Sequence, residues 1–69
     1  MEVLERHIYM ANQIARNLQH EPDPPTAAAD HIKLFWNARM LDMMYAHLDA
    51  GGDGLDAPAR EALNQVRAS

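Results

Sequence analysis

Three prolines within four positions, Pro22, Pro24 and Pro25, divide this chain. Each ring removes a backbone donor and restricts the residue before it, so no helix runs through the stretch. A second breaker follows at Gly51, Gly52 and Gly54. The segments left between and beyond these breaks are short, and each reads as helix.

Before the prolines, the spacing predicts one amphipathic helix from Val3 to Leu18. At 100° per residue, Val3, Leu4, His7, Ile8, Met10, Ala11, Ile14, Ala15 and Leu18 share an arc of about 160°. Tyr9 is the one apolar intruder on the opposite face. After the prolines, Asp23 or Thr26 can cap a short second helix through the alanines at 27–29 to about Phe35. Ala28, Ile32 and Phe35, with His31, form the stripe expected of a helix packed on the first.

Asn37 is a good N-cap for a third helix from Ala38 to about Asp49, which ends at the left-handed positions that glycine suits. Leu55 reads as a hydrophobic plug. Asp56 then caps a last helix with Pro58 in its first turn and an apolar stripe of Ala59, Ala62, Leu63 and Val66. The expectation is an all-α fold, a small three- to four-helix single domain covering residues 1–69.

A chain of this length buries roughly 60% of its unfolded surface, so a staple or a partner is expected. Cysteine is absent, which removes disulfides, thiolate zinc sites and iron–sulfur ligation from this chain. The third helix carries more apolar surface than a small monomer needs. Met40, Leu41, Met43, Met44, Tyr45, His47 and Leu48 span about 200°, against the ~100° or somewhat more of an ordinary surface helix. That surplus points to a protein partner.

Ten acids against six bases give a net charge of −4, which disfavours a phosphate-backbone ligand. No apolar run approaches the ~20 residues that span a bilayer. The start, Met-Glu-Val-Leu-Glu, has no apolar core of a signal peptide. The expectation is a cytoplasmic chain with neither nucleic acid nor membrane as partner.

Catalytic material is scarce. Thr26 and Ser69 are the only hydroxyl residues besides the tyrosines, and no thiol exists, so nucleophilic catalysis lacks a candidate. The four histidines show no ligand spacing with a nearby carboxylate, and read as packed or surface side chains. Asp49, Asp53 and Asp56 lack the order of a calcium loop and its closing Glu, and read as solvated caps. No catalytic, cofactor-binding or metal residue is expected in this chain.

The partner-binding candidates follow from the faces. Met40, Met43 and Met44 serve either as core filler or as an adaptable contact surface. Tyr9, Asn12 and Gln13 form either a solvated face or a docking patch of polar groups with one aromatic. Phe35 and Trp36, 100° apart, cannot both point inward. Trp36 is the one expected to reach across the helix junction or toward the partner, with Arg39 as its polar anchor.

Three ordered stretches carry a resemblance. They are Met10-Ala11-Asn12-Gln13-Ile14, then Asp30 through Met40 (Asp-His-Ile-Lys-Leu-Phe-Trp-Asn-Ala-Arg-Met), then His47-Leu48-Asp49-Ala50-Gly51-Gly52-Asp53-Gly54-Leu55. Together the chain resembles the delta subunit of the soluble NAD-dependent formate dehydrogenases that contain molybdenum or tungsten. Asn37-Ala38 stands where that family's pattern has Asp-Pro, and Lys33-Leu34 where it has Arg-Lys. The resemblance implies a non-catalytic accessory role with the large catalytic (alpha) subunit as partner. It implies that the complex carries molybdenum or tungsten bis-molybdopterin guanine dinucleotide, iron–sulfur clusters, FMN and NAD on its larger subunits. Two other readings stay open: an independent homo-oligomeric helical module, or a transient factor for cofactor insertion and assembly.

Overall fold

The computed structural model describes residues 1–69. It contains four helices, α1 (Val3–Asn17), α2 (Pro24–Phe35), α3 (Ala38–Asp49) and α4 (Ala57–Ala68), and no strand. The prolines end one helix and begin the next. Asp23 is the N-cap of α2 with Pro24 and Pro25 in its first turn, where a missing donor costs nothing. Asp23 Oδ2 accepts from the Thr26 hydroxyl at 2.8 Å, so Thr26 lies inside the helix and α2 starts three residues earlier than the alanines suggest.

The α2–α3 junction is a two-residue extended link. Trp36 and Asn37 hold β-region backbone, and the Asn37 side chain accepts from the Met40 amide at 2.9 Å as an N-cap. The far end of α3 closes in a Schellman arrangement: Gly52 N–H donates to His47 O at 2.8 Å and Gly51 N–H to Leu48 O at 3.1 Å. Gly51 and Gly52 have positive φ, 118° and 68°, a backbone that side chains resist.

The α4 N-cap is Asp56, as expected, but its side chain caps nothing. Its carboxylate instead sits 3.8 Å from Arg16, and its amide donates to Asn12 Oδ1 at 2.9 Å. Leu55 is buried, as the plug reading requires.

The core is built largely of alanine. Ala11, Ala15, Ala28, Ala29, Ala59 and Ala62 are half of its twelve buried apolar residues, joined by Ile32, Trp36, Met44, Leu55, Leu63 and Val66. The most extensive helix contact is α2 against α4, where the alanines of both let the backbones approach; interhelical distance follows side-chain size. The expected packing of α2 on α1 is present, but its larger contact is with α4. Helix α1 touches the other three, while α2 and α3 diverge from the junction without packing on each other.

The inward aromatic is corrected. By spacing Phe35 belongs to the buried stripe, yet it is 69% exposed, while Trp36 is 8% exposed. Trp36 does reach across the junction, but to α1, where its ring lies 5.7 Å from that of buried His7. Extended backbone at Trp36 turns its side chain back under the bundle, whereas Phe35 still follows the α2 spiral.

Candidate partner-docking surface

Most large apolar side chains sit in or against the core; five stand out from it. Leu34 (78% exposed) and Phe35 (69%) are adjacent on the last turn of α2. Met1, Val3 and Tyr9 occupy the start and outer side of α1. At the α2 end the His31 ring lies against Phe35, centroids 4.7 Å apart, which makes one projecting ridge of Leu34, His31 and Phe35. Sequence reasoning missed Leu34, although a signal was present. On the helical wheel it lies about 165° from the centre of the Ala28–Ala29–Ile32 stripe, an apolar residue at the middle of the outer face.

The nominated residues are spread through the fold. Met44 is fully enclosed and Trp36 nearly so, while Met40 and Met43 are half-buried and Arg39 is exposed. The wide apolar arc of α3 is largely covered: Met44 is fully enclosed, Met40, Leu41, Tyr45 and Leu48 are half-buried against the core, and none of the exposed large apolar side chains belongs to it, so the surplus expected there lies on α1 and α2 instead. Tyr9 and Asn12 border an open depression of about 420 Å³ that Ile8, Asp53 and Gly54 also line. Gln13 is half-buried and accepts a 3.5 Å contact from Arg16.

Asn12 has a specific internal task. Its Nδ2 donates to Gly54 O at 2.8 Å while its Oδ1 receives the Asp56 amide, so one side chain ties the glycine turn to α1. Two other side chains hold the same turn. His47 Nε2–H donates to Asp53 O at 2.7 Å, a carbonyl that can only accept. Arg60 donates to Gly51 O and Gly52 O at 3.1 and 3.2 Å. The turn is stapled by three elements, although it contains three glycines.

Helices α3 and α4 are clasped on the surface. Arg67 donates to both carboxylate oxygens of Asp49 at 2.7 and 2.8 Å, and its guanidinium lies 5.3 Å from the Tyr45 ring centre. The Arg67 hydrogen bonds hold the Asp49 carboxyl below its ordinary range, and the same pairing raises Arg67.

Of the six bases, Arg16 and Arg67 pair with carboxylates and Arg60 with backbone carbonyls. Lys33 and Arg39, either side of the α2–α3 junction, and Arg6 on the outer side of α1 pair with none. No three His, Asp or Glu side chains converge, and no helix is long and apolar enough to cross a membrane.

A family model described as "NADH-dependant formate dehydrogenase delta subunit FdsD" matches residues 6–63 of the 69. No curated protein and no solved structure matches the chain.

Proposed function

We propose, from the premise that this chain belongs to the NADH-dependent formate dehydrogenase delta subunit family, that it is a non-catalytic accessory subunit bound to the large catalytic subunit of that complex. The family match carries this reading, since a subunit family implies companion subunits. The fold supports it physically. A core of only twelve apolar residues, six of them alanine, leaves Leu34 and Phe35 in water, and a protein neighbour is what removes such surface from solvent.

The chemistry of formate oxidation and NAD reduction belongs in this reading to the larger subunits. This chain offers no thiolate to hold an iron–sulfur cluster and no converging trio of His, Asp and Glu to hold a metal ion, so its residues do not fit those groups, and no step is derived through any cofactor. What it supplies is surface: docked, it stabilises the large subunit or the state of it that receives its cofactors. A cytoplasmic setting goes with that role.

The test is deletion of the chain from an otherwise intact complex, with metal and flavin content and formate-dependent NAD reduction measured together. Reduced activity or cofactor content, restored by adding the chain back, supports the role; an unaltered complex from which the chain never co-purifies refutes it. Presence of the chain in the mature complex at fixed stoichiometry separates a resident subunit from a transient helper.

A further inference from the structure

We infer that the Leu34–His31–Phe35 ridge at the end of α2 is the anchor by which this chain docks, and that its occupant is an apolar concavity with an acidic rim on a larger formate dehydrogenase subunit. The inference rests on the accessory-subunit reading and adds to it a surface and a complementary chemistry.

Three observations choose the ridge and its partner. Leu34 and Phe35 are neighbouring and highly exposed, and in the chain they lie between Ile32 and Trp36, which are buried in the core, so the apolar pair projects from an anchored segment. Binding energy concentrates in such anchors when a pocket desolvates them. Second, Lys33 and Arg39 stand either side of Leu34 and Phe35 along the chain, in no salt bridge, and outnumber the one acid within a turn of Leu34, Asp30, in a chain whose net charge is −4. These two cations are free to meet carboxylates on another surface. Third, a second copy of this chain fits poorly. A two-fold contact centred on the ridge would gather the Lys33 and Arg39 cations of both copies around one patch. Two such side chains also supply far less than the ~800 Å² per partner of a stable interface, so the rest of this chain's share comes from the surface around them, which a larger, concave body can enclose.

The rival surface is the α1 side, where Met1, Val3 and Tyr9 are exposed. It is flanked by Glu2 and Glu5 and borders Asp53, with Arg6 its one basic side chain, so acids outnumber basic side chains there.

The experiment measures binding of the full chain to the complex purified without it, for wild type, the double variant Leu34→Ser/Phe35→Ser and the control Val3→Ser/Tyr9→Ser. Circular dichroism checks that helix content is kept, as expected for exposed positions. The ridge variant should bind about thirty-fold or more weakly, and the control close to wild type. Lys33→Glu/Arg39→Glu should bind more weakly as well, chiefly through slower association at low salt.

Because the chain has no cysteine, Leu34→Cys and Val3→Cys each give a single thiol. Maleimide labelling of the first should be fast in the free chain and suppressed in the complex, while the second stays labelled. If the ridge variant is too unstable to assay, the labelling contrast alone decides. Equal binding of the ridge variant, or a Leu34→Cys thiol that stays reactive in the complex, overturns the ridge and leaves the accessory role standing. Wild-type chain that binds no formate dehydrogenase subunit overturns both. A wild-type dimer that Leu34→Ser/Phe35→Ser dissociates overturns the choice of occupant.

Discussion

At the level of single residues, the internal roles are set by which polar atoms a side chain can satisfy at once. Asn12 uses both ends of its amide, one on Gly54 O and one on the Asp56 amide. Asn12→Ala should cost about 1–2 kcal/mol, the loss of two partly solvated hydrogen bonds. Urea unfolding checks the magnitude, and hydrogen exchange should show the loosening confined to residues 52–56 and the first turn of α4. Gly52 is constrained twice. Its φ of +68° resists a side chain, and an added Cβ would come 2.9 Å from the Arg60 guanidinium. The guanidinium tip can swing away, but only by leaving the carbonyls of the turn, so Gly52→Ala should destabilise by about 1–2 kcal/mol. Trp36 is of a different order. Removing a buried indole costs about 3–5 kcal/mol, comparable with the whole stability of a chain this size at ~0.05–0.15 kcal/mol per residue. Trp36→Ala should therefore be largely unfolded at 25 °C by circular dichroism, which makes it a core lesion and a poor probe of docking.

Among the elements, α3 is held least by apolar enclosure, with Met44 its sole buried residue. It depends correspondingly on its ends and on one clasp. Asn37→Ala removes its N-cap and should cost about 1 kcal/mol, measurable as a lower urea midpoint with unchanged slope. The Asp49–Arg67 clasp has a defined pH sign. The folded-state carboxyl is depressed below its ordinary 3.8, so its contribution is complete above that value and fades as pH falls through the lower folded value. Asp49→Asn should lower Tm at pH 7 by no more than a few degrees, because both groups are in solvent. The difference from wild type should shrink in acid and in high salt.

For the whole molecule, a 31 × 23 × 20 Å body with an alanine-rich core is expected to gain stability from whatever binds it. Adding the complex that lacks this chain should raise its exchange protection as binding is saturated, by mass action on the folded state. The rise should be strongest at the last turn of α2 if Leu34 and Phe35 are the anchor.

Local sequence chemistry determined the helices, because their starts and stops need only neighbouring residues. Asn37 as cap and glycine at the end of α3 each act within one turn of chain and were legible, while the start of α2 stayed open between Asp23 and Thr26 until the structure set it at Asp23. The apolar stripe of α4 and the plug at Leu55 were legible for the same reason. The tertiary structure alone decided which helix pairs most closely with which, since six small side chains spread over α1, α2 and α4 carry no signal of mutual approach until the backbones meet. It decided too that Trp36 turns inward and Phe35 outward, a choice made by two extended residues at a junction that periodicity does not describe. The tasks of Asn12, His47 and Arg60 were hidden likewise, because each acts on carbonyls of the glycine turn, and a backbone carbonyl leaves no mark in a sequence of side chains.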